Sequence, residues 1–148
     1  MNGVKCILVV ADRTCPCPTV ADVVARRAAD GPIDVLVVAP ALNSRLRHWS
    51  SDVDDAVSRA GVRAQLAVAE LRARGISAEG EVGDASPMVA IDDALASFPA
   101  EEIVIATYPP RESNWLEHGL IEKATARFGL PVTHLVSSYG LDEEDRAV

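Results

Sequence analysis

The chain is 148 residues long, 49% hydrophobic and 24% charged, with a net charge of −8. That length and apolar content suit one domain with a sizeable core and exclude a chain disordered beyond its ends. The acidic balance excludes nucleic acid and anionic membrane surfaces as main partners, since both are held by clustered Lys and Arg; no apolar run approaches the roughly 20 residues of a bilayer span.

In chain order, Met1 to Lys5 leads straight into the apolar run Cys6–Ala11, which stops at Asp12 with no small-residue cleavage site, so no signal peptide is read. A continuous apolar run of this length is the pattern of a strand covered on both faces. Cys6 lies inside it and is expected to be buried and inert. Three cysteines, Cys6, Cys15 and Cys17, make no disulfide framework, and the expected compartment is a reducing cytoplasm. Cys15-Pro16-Cys17-Pro18 supplies two soft ligands where zinc takes four, and is read as an exposed turn. Val20, Val23, Val24 and Ala28 then repeat at helical spacing after Thr19, the expected N-cap.

Ile33–Ala39 is a second strand, interrupted only by Asp34. The long connection from Pro40 to Ser50 carries Arg45, Arg47, His48 and Trp49, read as an ordinary surface loop with a lid as the alternative. A long helix follows from Ser51, its inner stripe Val53, Val57, Ala60, Ala64, Val68 and Leu71, its end marked by Arg72, Arg74 and Gly75. Ile76–Val82 is more polar and alternates, which predicts a strand at the sheet edge. Ser86-Pro87 opens a third helix as cap and first helical residue, with Met88, Ile91, Leu95 and Phe98 facing inward.

Ile103–Ala106 is a further buried strand. The fourth helix is expected from Ser113 or Asn114, with Asn114 and Glu117 as a capping box. Leu116, Leu120, Ala124 and Phe128 line its inner face, and Gly129 ends it. Trp115 on its first turn reads as a core or dimer anchor. Val132–Val136 is the last strand, with His134 alternating within it as a strand or interface histidine. The domain is expected over residues 1–138, followed by an acidic tail, 139–148. Strict β-α alternation with short connections predicts an α/β, three-layer parallel sheet with right-handed crossovers.

No nucleophile, base and orienting group can be assembled: G-x-S-x-G, Walker A and G-x-G-x-x-G are all missing from the sequence. Asp54-Asp55 and Asp92-Asp93 are adjacent, so each pair splits across a solvated helix surface. The three histidines show no metal-ligand spacing.

Gly80-Glu81-Val82-Gly83-Asp84, then Ala90-Ile91 and Ala94, then Glu102–Thr107, and finally Phe128-Gly129-Leu130-Pro131-Val132 resemble the universal stress proteins in motif and order. The resemblance covers the chain in element order and is specific from about Gly80 onward. Thr107-Tyr108-Pro109-Pro110, Ser113, Trp115 and Pro131–His134 are similar to a group of actinobacterial stress-protein-like chains. The resemblance implies the adenine-nucleotide alpha-hydrolase-like fold, an open five-stranded sheet of order 3-2-1-4-5, with a ligand crevice between the first and fourth strands.

In ATP-binding members of that family an aspartate ends the first strand, the place of Asp12 here; a loop cap is its equally weighted alternative. Backbone at the end of the second strand meets adenine, which maps to Val38 and Ala39. The phosphates lie on a glycine-rich loop after the fourth strand, mapping to Thr107, Arg111, Ser113 and Gly119. Here the loop departs from the pattern. Tyr108-Pro109-Pro110-Arg111 replaces its first glycines, and Leu120 replaces the hydroxyl residue after Gly119. A phosphate cradle is built of backbone N–H groups, and two prolines remove two of them. The preferred expectation is therefore a universal-stress-protein-like module that does not hold ATP in the usual family manner, without catalysis and as a homodimer through the fifth strand. The alternative is an ATP or other adenine-nucleotide binder with a modified loop, using Asp12, Arg111 and Gly119.

Overall fold

The computed structural model describes residues 3–11, 18–41, 50–107 and 119–136. Its elements are β1 (Lys5–Ala11), α1 (Pro18–Ala28), β2 (Ile33–Pro40), α2 (Ser50–Ala73), β3 (Ser77–Gly83), α3 (Pro87–Ser97), β4 (Glu102–Thr107), α4 (Leu120–Phe128) and β5 (Val132–Val136). The five strands form one sheet of order β3-β2-β1-β4-β5, every neighbouring pair parallel. No helix among the described residues is long and apolar enough to cross a membrane.

Two apolar clusters show the three layers. Ile7, Val9, Val35, Val37, Val104 and Ala106 face α1 and α2; Leu8, Val10, Val38, Ile103 and Ile105 face α3 and α4. Consecutive residues of β1 and β4 therefore feed opposite cores, which is why these strands are unbroken apolar runs. β3 behaves as its alternation predicts: Ala78 is buried against α2, whereas Ser77, Glu79 and Glu81 are exposed. Gly80 and Gly83 allow close packing there. A Cβ on Gly80 would stand 3.0 Å from Val68, and one on Gly83 would stand 2.8 Å from both Val38 and Ala90.

Helix ends follow local chemistry. Ser86 caps α3 by accepting from the Val89 amide, with Pro87 at the first position. α2 closes in a Schellman turn: Ile76 N–H donates to Leu71 O, Gly75 N–H donates to Arg72 O, and Gly75 takes φ +79°.

Several expectations are corrected. Thr19 is the second residue of α1, not its cap. Val57 is 43% exposed although it continues the inner stripe. α2, at about 1.5 Å per residue, outruns the strands beneath it, so that turn extends past the sheet. In α3, Ile91 is buried and Met88 and Leu95 pack partly covered against the core as expected, but Ala90 and Ala94 lie deeper than either and Phe98 is half-covered; the small residues sit closest because the helix approaches the sheet at Gly83. A helix running unbroken from residue 113 or 114 is ruled out by Gly119, whose left-handed φ of 70° precedes the start of α4 at Leu120. Asn114, Leu116 and Glu117 lie outside the described residues. Cys6 is half-buried rather than buried; burial, with the charges of Asp34 and Glu101, pushes its thiol pKa up, which keeps it unreactive.

At the amino end of the sheet one carboxylate joins four elements. Glu102 is 4% exposed. It accepts from Arg27 through both oxygens at 3.1 Å, from Thr133 Oγ1 at 2.6 Å, and pairs with Lys5 Nζ at 3.2 Å. Burial alone would raise its carboxyl pKa, but the hydrogen bonds from Arg27, Thr133 and Lys5, with Arg27's charge, hold it at about 2 against the ordinary 4.5.

Candidate functional site

The chain leaves β1 for β2 on one side and later returns to β4 on the other. The helix following β1 and the helix preceding β5 cover opposite faces. A parallel sheet wound this way opens a crevice beyond the carboxyl ends of the two strands where the order reverses.

The register brings the described candidates to that end. Val10 pairs with both Val38 and Ile105, and Ala11 pairs with Ala106, so Val38, Ala39 and Thr107 close strands on either side of β1. At about 4.8 Å per strand, β2 and β4 stand about 10 Å apart. Val38 and Ala39 are both buried, Val38 toward α3 and α4, Ala39 toward α1 and α2. Their side chains belong to the core, and a ligand at this end of β2 would meet backbone. That backbone is already engaged just beyond them: Arg63 Nη2 donates to Pro40 O at 2.8 Å, and Ala41 N–H donates to Gly83 O at 3.1 Å.

Thr107 is fully buried at the end of β4, with Oγ1 2.8 Å from His134 Nε2 on β5. Burial lowers the His134 pKa below the ordinary 6.5, and the charge of Glu122 opposes that fall. A neutral ring with its proton on Nδ1 accepts from the Thr107 hydroxyl at this distance.

Gly119 is the N-cap of α4; its carbonyl accepts from Lys123 N–H at 3.0 Å, and no side chain caps the helix there. Glu122, at the third helical position, lies with Oε1 3.8 Å from the point a Cβ on Gly119 would occupy. A carboxylate is favoured at this positive end of a helix. It also puts a negative charge where a phosphate would approach.

Of the sequence-derived candidates, the structure places Val38, Ala39 and Thr107 at one end of the sheet. It puts Gly119 at the start of α4, beside Glu122, whose charge acts on His134. Asp12, Arg111 and Ser113 lie outside the described residues, as do Cys15, Cys17, Arg45, Arg47, His48, Trp49, Trp115 and His118. Sequence reasoning missed Glu122 and the Thr107–His134 bond. The signal for Glu122 was present, since Gly119 and Glu122 have the spacing of an N-cap and its third helical residue. The Thr107–His134 bond needs the register of β4 on β5 and leaves no local trace. Among the described residues, no three His, Cys, Asp or Glu side chains gather as a metal site.

No family model matches the chain, and no curated protein matches it. Solved structures do. A protein of the universal stress protein family from Burkholderia pseudomallei superposes with a TM-score of 0.60 at 18% identity, over 88% of this chain and 95% of that one. A universal stress protein from Archaeoglobus fulgidus gives a TM-score of 0.60 at 19% identity, over 89% and 98%. The chain has the universal stress protein fold. The order of its strands reverses between β1 and β4, and Thr107 closes β4 at the carboxyl end of that switch.

Proposed function

We propose that the chain is a universal-stress-protein-like module of the cytoplasm that acts by binding and assembly rather than by catalysis. On this reading it does not hold ATP in the family's usual manner, and it pairs with a second copy through β5. The observation that carries the reading is Tyr108-Pro109-Pro110-Arg111, where consecutive prolines stand in the loop that must supply main-chain donors. Two features at the start of α4 support it. The residue after Gly119 is Leu120, buried at 2% exposure and without a hydroxyl to offer, and Glu122 brings a carboxylate to the same helix end.

The pairing edge is favoured by the contrast between the two sides of the sheet. β3 is guarded: Glu79 and Glu81 are exposed beside it, and Arg72 Nε donates to Ala78 O at 2.9 Å. β5 has no charged residue, and Val136 is 48% exposed. Ile103 N–H donates to Pro131 O, so odd-numbered residues of β5 face β4, and the backbone groups of Val132, His134 and Val136 turn to the open edge.

The second reading is a nucleotide binder with a modified cradle formed by Asp12, Arg111 and Gly119. It is favoured by the left-handed glycine at the start of α4, which leaves backbone donors uncrowded. Calorimetry with ATP, ADP, AMP and cyclic nucleotides separates the two. The expected result is no heat at about millimolar ligand, a level at which binding energy is only about 4 kcal/mol. Saturable binding of ATP would overturn the preferred reading. Arg111→Ala should then weaken tri- and diphosphates more than adenosine. Light scattering is expected to give a dimer, and a strict monomer at high concentration removes the β5 pairing.

A further inference from the structure

We propose that the outer face of α2 is an interaction surface for a second copy of this chain, with the two α2 helices side by side and antiparallel. This surface lies outside the reading above, which pairs copies through β5, and it does not depend on that pairing. α2 packs on β2 and β3, on the other side of the sheet from β5.

The sequence gives α2 two apolar faces. Ala60, Ala64, Ala67, Val68 and Leu71 are buried against the sheet. Val62, Leu66, Ala69 and Ala73 are exposed, Val62 at 58% and Leu66 at 50%. At about 100° per residue, these four fall within about 60° of one another, on the side turned away from the core. That line is ordinarily polar in a surface helix. Apolar residues scattered singly over a surface are normal, but these form a row. The steps from Val62 to Leu66 to Ala69 to Ala73 alternate four and three residues, the seam by which one helix packs on another.

Charge selects the helix that covers it. Asp52, Asp54 and Asp55 fall in the first two turns of α2; Arg72 lies in its last turn, and Arg74 follows. Laid parallel on a copy of itself, this helix sets acid on acid and base on base. Laid antiparallel, it sets each acidic end beside a basic one. A crossing midway between Val62 and Leu66 places each of them against the other residue of the second copy. The same crossing brings Arg59 level with Glu70 of the second copy, both exposed on one flank of the seam. Arg74 keeps its surface ties to Asp22 at 2.8 Å and to Glu70 at 3.3 Å, so the ends act through their summed charge. A single helix pair covers an area at the low end of specific interfaces, and a Kd of about 10–100 µM is expected.

The test is sedimentation velocity of the full chain from about 10 to 500 µM, with circular dichroism to read the fold. Leu66→Glu changes an exposed position, so the spectrum is expected to stay as it is. It also puts a carboxylate into the seam twice over by symmetry, and the α2 association is expected to weaken at least about tenfold. Val136→Lys, on the open edge of β5, is expected to leave that association in place, so the two pairings are read separately. Arg59→Glu is expected to weaken it about fivefold, and adding Glu70→Arg to restore it. A Val136→Lys chain that no longer associates, or a Leu66→Glu chain that associates as the native one does, overturns the interface. An Arg59→Glu chain as tight as the native one, or a double variant no tighter than the single, overturns the antiparallel arrangement.

Discussion

Replacing Glu102 with glutamine tests how firmly the amino end of the sheet is tied. The carboxylate is 4% exposed and receives Arg27, Lys5 and Thr133, so it joins α1, β1 and β5 to its own strand, β4. Its pKa stands at about 2 against an ordinary 4.5, a fall of 2.5. At 1.36 kcal/mol for each tenfold step, this amounts to about 3 kcal/mol in favour of the charged form in the folded chain. Glutamine keeps the volume and loses the charge. Arg27 and Lys5 are 33% and 42% exposed, so both cations turn to water once released. The cost is then close to the lost attraction, about 3 kcal/mol, rather than the larger penalty of a stranded buried cation. At about 2–4 °C per kcal/mol for a chain of this size, Tm should fall by about 6–12 °C. The sign with pH is also fixed. A depressed carboxyl stabilises above its unfolded pKa and loses that contribution as pH falls through the folded value, so the native chain should weaken between pH 4.5 and about 2. Urea unfolding followed by circular dichroism, at pH 7 and at steps down to about pH 2, reads both effects. A Glu102→Gln chain within 1 kcal/mol of the native one at pH 7, or with a parallel acid profile, would refute the reasoning.

Gly83→Ala would place a Cβ 2.8 Å from Val38 Cγ1 and from Ala90 Cβ, neither of them at the end of a long flexible side chain. An overpacking loss of about 1–3 kcal/mol is expected in the same denaturation assay. Gly75→Ala meets open space but keeps φ at +79°, so it should cost about 1 kcal/mol through backbone strain alone. The Cys6 thiol, raised by burial, Asp34 and Glu101, should react with iodoacetamide near neutral pH well below the rate of a free cysteine. Peptide mass spectrometry of the alkylated chain reads this, and labelling of Cys6 at the free rate would contradict the burial argument.

Much of the fold was legible because the strands announce themselves. The run Cys6–Ala11 lies within β1, and Val132–Val136 coincides with β5, since a strand sandwiched by helices needs apolar side chains on both faces. β3 was legible as an edge from the opposite pattern, its exposed face being free to carry Ser77, Glu79 and Glu81. The strand order came from resemblance, because apolar spacing says which faces are buried and nothing about which neighbour a strand chooses. The break at Gly119 was hidden, since the spacing Leu116, Leu120, Ala124, Phe128 runs through it: a left-handed residue interrupts the backbone without disturbing an apolar period. Glu102 was hidden for another reason. Its partners Arg27 and Thr133 stand 75 and 31 positions away, and only the completed sheet brings them together.

The two ties on β5 end on groups that meet acid differently. Thr133 and His134 are consecutive, so they point to opposite faces, one into the Glu102 cluster and the other against Thr107. The first tie ends on a carboxylate that keeps its charge until pH approaches 2, whereas the second ends on an imidazole that accepts a proton below 6.5. Acidification from neutrality toward pH 4.5 therefore leaves the Glu102 tie charged, whereas at the carboxyl half it acts on the imidazole, which once protonated donates to Thr107 Oγ1. That half is also where the backbone of His134 and Val136 turns to the open edge.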